Sequence, residues 1–241
     1  MKKVLALVLM TAMTLGLVAC GGKKEDPNAK SEGVMTYAEY EAAAIDSQVT
    51  IEAYVMDKQS WWDNTATVYT ADGEGAYFLY NMACSEEDYA KLTKGTKIKV
   101  TGYKAAWSGE VEIADATFEI EEGNYVPEAV DLTSIVGKDE AINYQNRYGK
   151  FTDMVIADAG NGEAFMYNWD GSGSDGDDLY FNATNADGVT VSFCIESYLR
   201  DNTTDVYKAV TALKVGDKVD MEGFLYWYEG PQPHIISVKV K

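Results

Sequence analysis

One stretch of twelve residues occurs twice in this chain. Leu92-Thr93-Lys94-Gly95-Thr96-Lys97-Ile98-Lys99-Val100-Thr101-Gly102-Tyr103 aligns without a gap on Leu213-Lys214-Val215-Gly216-Asp217-Lys218-Val219-Asp220-Met221-Glu222-Gly223-Phe224. A leucine, two glycines, a lysine and the alternating apolar residues coincide, which is the period-2 signature of a strand entered through a turn. Upstream, Ala71-Asp72-Gly73 matches Ala186-Asp187-Gly188, each between two strand-like runs. A chain that repeats one unit must bury two similar cores, so two related domains in tandem are expected.

The rest of the pattern fills in each unit. Thr36-Tyr37-Ala38-Glu39 has capping-box spacing and leads into Ala42-Ala43-Ala44-Ile45, a short helix. Val49 to Val55 alternates as a strand, and Thr67–Thr70 and Ala76–Tyr80 flank an Asp-Gly turn. Glu86 to Leu92 suits a short helix ended at Lys94-Gly95, followed by strands over Lys97–Tyr103 and Val111–Ile120. Lys150–Ala157 and Ile235–Val240 supply the first and last strands of the second unit. Three strands, a short helix and two strands is the order of a five-stranded Greek-key barrel of the OB type.

Thr67 to Tyr80 resembles the second and third strands of OB domains in secreted bacterial proteins, and Leu92 to Gly102 resembles their helix exit and fourth strand. The resemblance implies a mainly β protein of two tandem five-stranded OB-like Greek-key barrels, each with a short helix between strands 3 and 4. The domains fall at residues 36–122 and 123–241. It also implies a ligand cleft over strands 2 and 3, flanked by the strand 1–2 and strand 4–5 loops. Oligosaccharide and single-stranded nucleic acid are the ligands such barrels take.

The N-terminus carries an address. Lys2 and Lys3 precede an apolar run from Val4 to Val18, and small residues then lead to a cysteine, the anatomy of a secretory signal. Leu17-Val18-Ala19-Cys20 resembles the bacterial lipobox. That resemblance implies removal of residues 1–19, lipidation of Cys20 and anchoring at the extracytoplasmic face of a bacterial membrane. Residues 20–35, rich in Gly, Lys and Glu, then read as a flexible tether.

The chain carries 20 Lys and Arg against 39 Asp and Glu, a net charge of −19 that becomes −21 when Lys2 and Lys3 leave with the signal. Such a charge repels phosphate backbones, so nucleic acid is expected to be an unlikely partner, and a basic envelope protein an acceptable one. With Cys20 lipidated, Cys84 and Cys194 remain, either as an inter-domain disulfide or as two free thiols. Asn168 to Asp178 gathers carboxylates and glycines, but Leu179 stands where a calcium loop needs Glu. A solvated insertion is the expectation, with no metal and no cofactor. The single histidine, His234, is placed at a strand end on the surface, and no nucleophile context or phosphate loop occurs. A non-enzyme is expected.

All five tryptophans map to the cleft loops: Trp61 and Trp62 in one strand 1–2 loop, Trp169 in the other, and Trp107 and Trp227 in the two strand 4–5 loops. Two roles fit them, plugging the barrel ends or stacking on a ligand. If they stack, Tyr77 and Tyr80 on the third strand join the surface. The functional expectation is a lipid-anchored, non-catalytic binding protein for a neutral oligosaccharide or peptide. The alternatives are an envelope scaffold that meets a protein partner by its acidic surface and a binder of single-stranded nucleic acid.

Overall fold

The structure, a computed structural model, describes residues 26–241. The signal segment and Cys20 lie outside the described residues. Helix α1 (Tyr37–Ala42) leads into strands β1 (Gln48–Lys58), β2 (Thr65–Ala71) and β3 (Ala76–Ala83), helix α2 (Glu86–Lys91), and strands β4 (Thr96–Trp107) and β5 (Glu110–Asn124). These five strands close into a barrel in the order β1-β2-β3-β5-β4. The second unit holds β6 (Val130–Asp131), a 3-10 turn at Asp139–Tyr144, β7 (Tyr148–Ala157), β8 (Met166–Tyr167), β9 (Leu179–Thr184), β10 (Thr190–Ile195), helix α3 (Asp205–Thr211), β11 (Lys218–Phe224) and β12 (His234–Val240). Its sheet runs β7-β11-β12-β10-β9, and β9 pairs back onto β7 to close a second five-stranded barrel.

Both rings have the same order, strands 1-2-3-5-4, and in both the closing 3–5 pair is parallel: Leu79 with Ile113, and Cys194 with His234. A short helix lies between strands 3 and 4 in each. The chain is a tandem pair of OB-like barrels.

The repeated glycines have a common cause. Gly95 and Gly216 have φ of +90° and +95°, a backbone region open to glycine at little cost, and each donates its N–H to strand 1 of its own barrel, to Val55 and Ile156 at 2.8 Å. Gly102 and Gly223 sit where strand 4 is pressed onto strand 5. A Cβ at Gly102 would lie 2.7 Å from Ile113, and one at Gly223 would lie 2.2 Å from the His234 carbonyl oxygen.

Alternation fills the two cores. Val49, Ile51, Val68, Leu79, Ile98, Val100 and Ile113 pack the first barrel, and Phe151, Met154, Phe181, Phe193, Val219 and Met221 the second. A third cluster joins them, with Met56, Tyr69 and Phe78 of the first barrel against Leu199 and Phe224 of the second. Glu110, fully buried at the start of β5, accepts hydrogen bonds from the side chain of Asn146 and from the backbone N–H of Trp227, 3.0 Å away. Burial pushes its pKa up to about 8.

Two expectations need correction. The tether is not free along its whole length: Lys30 pairs with the carboxylate of Asp72 at 2.7 Å, both side chains buried, and Ser31 bonds Glu52. Asp72, the acid of the hairpin turn, also accepts the N–H groups of Glu74 and Gly75, so the basic residue of the tether, Lys30, completes a turn already built to hold a charge. His234 is buried, not on the surface, because β12 begins inside the interface between the barrels. Among the described residues no helix is long and apolar enough to cross a membrane.

Candidate functional site: an aromatic groove between the barrels

The β2–β3 face of the first barrel, where the cleft of such a fold lies, packs against β11, β12 and the segment after β10 of the second, and Tyr180 and Cys194 of β9 and β10 border the same space. One shared cleft of about 640 Å³ results, rather than two separate ones. Gln59, Phe78, Tyr80 and Trp107 line it from the first barrel. Trp169, Asp178, Tyr180, Cys194, Glu196, His234 and the β11–β12 turn (Tyr226, Tyr228, Glu229, Gln232) line it from the second. A further hollow of about 340 Å³ shares Gln59, Tyr80 and Glu196 with it and adds Trp62 and Tyr198, so the two form one groove.

The expected aromatic residues divide by role. Trp62, Trp107 and Trp169 line the groove with 75%, 55% and 76% of their surface exposed, and Tyr80 with 46%. Large indoles this exposed have no structural reason to be held at a cleft mouth, and flat apolar faces suit stacking. Trp107 lies 5.2 Å from Tyr228 between ring centroids, so the strand 4–5 turns of both barrels meet here.

Trp61, Tyr77 and Trp227 do not join that surface. The Trp61 indole N–H donates to the Cys84 carbonyl at 2.9 Å, hooking the β1–β2 loop to the end of β3. Trp227 packs on the second barrel's core, with its ring over Gly109. Tyr77 is fully buried inside the first barrel, its hydroxyl donating to Asp72 at 2.8 Å, because its position on β3 points inward. These three plug or brace, and the exposed group lines the groove.

Other residues of the groove escaped the sequence reading. Tyr226-Trp227-Tyr228 is an aromatic run whose alternation alone marks Tyr226 and Tyr228 as facing away from Trp227. Tyr226 stacks on His234 at 4.3 Å, and the His234 Nδ1 shares a hydrogen bond with the Tyr69 hydroxyl at 2.9 Å. Burial drops the His234 pKa to about 3, so the ring is neutral. Cys194 is buried beside Tyr180 and its thiol is held protonated by burial. Cys84 and Cys194 are both free thiols.

Glu196, immediately after β10, is the groove's most unusual group. Only 9% exposed, it accepts the backbone N–H of Tyr198 at 3.0 Å through Oε1, while Oε2 has no hydrogen-bond partner. Burial, with the charge of Asp178 adding to it, raises its pKa to about 7.

The Asp-rich loop behaves as an ordered insertion. Asp177 accepts the N–H of Ser174 and Asp175 the amide of Asn202, while the Tyr207 hydroxyl on α3 donates to the Asp177 carbonyl. Among the described residues no group of three or more His, Cys, Asp or Glu is placed to hold a metal ion.

The fold and groove thus define a pair of OB-type barrels sharing one aromatic cleft. No family model and no curated protein sequence matches the chain. Solved structures are similar to it. The Ifi202 HINa domain in complex with 20-bp dsDNA is 12% identical with a TM-score of 0.36, covering 81% of this chain and 98% of that one. A murine DNA binding protein bound with dsDNA is 12% identical with a TM-score of 0.38, covering 79% and 94%. The p202 HIN1 domain in complex with 12-mer dsDNA is 13% identical with a TM-score of 0.34, covering 90% and 100%.

The expectation, drawn from net charge, that nucleic acid is an unlikely partner needs correction: these similar structures are themselves complexes with dsDNA. Net charge is a property of the whole surface, whereas contact is made by one face. It therefore does not exclude a ligand class.

Proposed function

We propose that this protein is a non-catalytic binding protein whose ligand, an oligosaccharide or peptide segment, lies in the groove between the barrels. The observation that carries the reading is the convergence of Trp62, Tyr80, Trp107 and Trp169 on one groove, all solvent-exposed, while Trp61 and Trp227 are used for packing. Ring faces stack on sugar rings and on planar peptide groups, and an indole N–H fixes orientation. The groove's thiol is held protonated and its imidazole is neutral and bonded to Tyr69, which leaves no activated nucleophile and supports binding without turnover.

Titration of indole fluorescence against a panel of neutral glycans, peptides and oligonucleotides tests this. Trp107→Ala and Trp169→Ala should each weaken the ligand that responds by about 1–3 kcal/mol, the range for an aromatic stack. Binding of glycans or peptides untouched by either substitution would refute the groove. The alternative reading is nucleic acid, which the HIN-domain structures contain, so single-stranded and duplex oligonucleotides belong in the first panel. A response confined to them would replace the glycan or peptide reading.

The protein is further proposed to be a bacterial lipoprotein held at the extracytoplasmic face of the membrane through Cys20. Support comes from the Leu17-Val18-Ala19-Cys20 sequence and its apolar leader. Cys20→Ala should release the protein from the membrane fraction, and retention of that variant would refute the anchor.

A further inference from the structure

We propose that the ligand of this groove carries a primary ammonium group, and that Glu196 Oε2 is the acceptor that reads it. The inference rests on the groove reading above and adds the chemical class of the group bound.

A carboxylate oxygen buried with no partner is costly, because the hydration it has lost is repaid by nothing in the protein. Glu196 is 9% exposed, its Oε1 is held by the Tyr198 N–H, and Oε2 is left without a partner in the wall of the groove. A group built to stabilise the fold would have both oxygens met. With Oε1 held by the Tyr198 N–H, and the Leu199 N–H and the Gln59 side chain also acting on the carboxylate, the Oε2 that has no well-formed hydrogen bond of its own is oriented for something that arrives.

The surroundings state what arrives. Asp178 and Glu229 line the same cleft, and no Lys or Arg lines either hollow of the groove, so the local field favours a cation. Aromatic rings supply the rest of the wall, and their faces attract an ammonium, more strongly where water is excluded. An ammonium donates up to three hydrogen bonds and accepts none, which complements the carboxylates of Glu196, Asp178 and Glu229 in this wall. A neutral hydroxyl would gain less from the same setting, since charge-assisted hydrogen bonds are roughly twice as strong.

The pH response follows. Glu196 has a pKa of about 7 without ligand, and an ammonium favours its ionised form. Binding of an amine whose own pKa is near 10 should therefore release a proton below pH 7 and tighten as pH rises from 6 to 8.

The test uses two matched pairs on the wild-type protein and Glu196→Gln: a glucosamine tetramer against its fully N-acetylated form at pH 6, where its weakly basic amines are charged, and tetralysine against its Nε-acetylated form across pH 6–8. The amine member of the pair that binds should do so at least about tenfold more tightly than its acetylated partner, a discrimination of about 1.4 kcal/mol. Glu196→Gln should abolish that preference and the pH response. Which pair binds decides whether the ammonium belongs to an amino sugar or to a lysine side chain. Equal binding of both members, with Glu196→Gln without effect, would overturn the ammonium and leave the groove standing. No binding by any probe would overturn both.

Discussion

The Tyr69 hydroxyl of the first barrel shares a hydrogen bond of 2.9 Å with Nδ1 of His234 in the second. The same phenol ring lies flat on Phe224, with centroids 4.2 Å apart and planes inclined by 8°. Both rings and the hydroxyl are buried, so one side chain from β2 ties its barrel to two strands of the other. Tyr69→Phe keeps the stack and strands the imidazole nitrogen, and should cost about 1–3 kcal/mol. Tyr69→Ala also opens a cavity and should cost about 3–5 kcal/mol. Calorimetry of Tyr69→Ala should resolve two transitions where the wild-type protein shows one. A single transition in both would mean that the barrels are coupled elsewhere.

Stability should fall as pH rises from about 5 to about 8. The Glu110 pKa is raised to about 8, so the folded protein keeps a proton that the unfolded chain has already released above its ordinary value near 4.5. The unfolded state therefore gains up to about 1.4 kcal/mol per pH unit in that window. Glu196 acts in the same direction up to about 7. His234, depressed to about 3, acts oppositely, and its stability is gained as pH rises from about 3 to 6.5. The optimum is expected at mildly acidic pH. Glu110→Gln should flatten the decline in Tm between pH 5 and 8, and an unchanged slope would remove Glu110 as its source.

Gly223→Ala should be among the more damaging small substitutions in the chain. Its Cβ would meet the backbone carbonyl of His234 at 2.2 Å, and a backbone atom does not rotate away. A loss of about 1–3 kcal/mol in urea unfolding is expected. Its repeat counterpart, Gly102→Ala, is crowded by Ala114 O at 2.8 Å and should behave alike.

Acrylamide should quench three of the five indoles. Trp62, Trp107 and Trp169 are open to solvent. Trp61→Phe and Trp227→Phe should therefore leave most quenchable emission in place, whereas the triple Phe variant at 62, 107 and 169 should lose it. The reverse pattern would mean that the groove is closed in solution.

Glu196→Gln should raise the Tm at pH 8 relative to wild type, since it removes a charge whose Oε2 has no partner. A lowered Tm would show that the carboxylate stabilises the fold instead.

The parts of the site that were legible in the sequence are those carried by residue type and loop position. Trp107 and Trp169 stand out because a large indole between two strands is conspicuous, and both line the groove. Tyr77 and Tyr80 are three positions apart on one strand and therefore face opposite sides of the sheet. Which side is inward depends on the register of β3, and that put Tyr77 in the core and Tyr80 in the groove. Glu196 carried no signal at all. A glutamate after an apolar strand is ordinary, and only burial against the first barrel, with one oxygen unpaired, distinguishes it.

The amino-acid sequence alone determined the duplicated unit, its strand order, the helix caps and the glycines that turn and close each barrel. All of these depend on contacts between near neighbours in the chain, or on alternation along one strand. Only the tertiary structure decided that the two clefts merge into one groove, that His234 is buried, and that Lys30 of the tether pairs with Asp72 on the first barrel. Those outcomes depend on how two closed surfaces pack against each other, and that packing pairs residues as far apart as Tyr69 and His234, which no local pattern records.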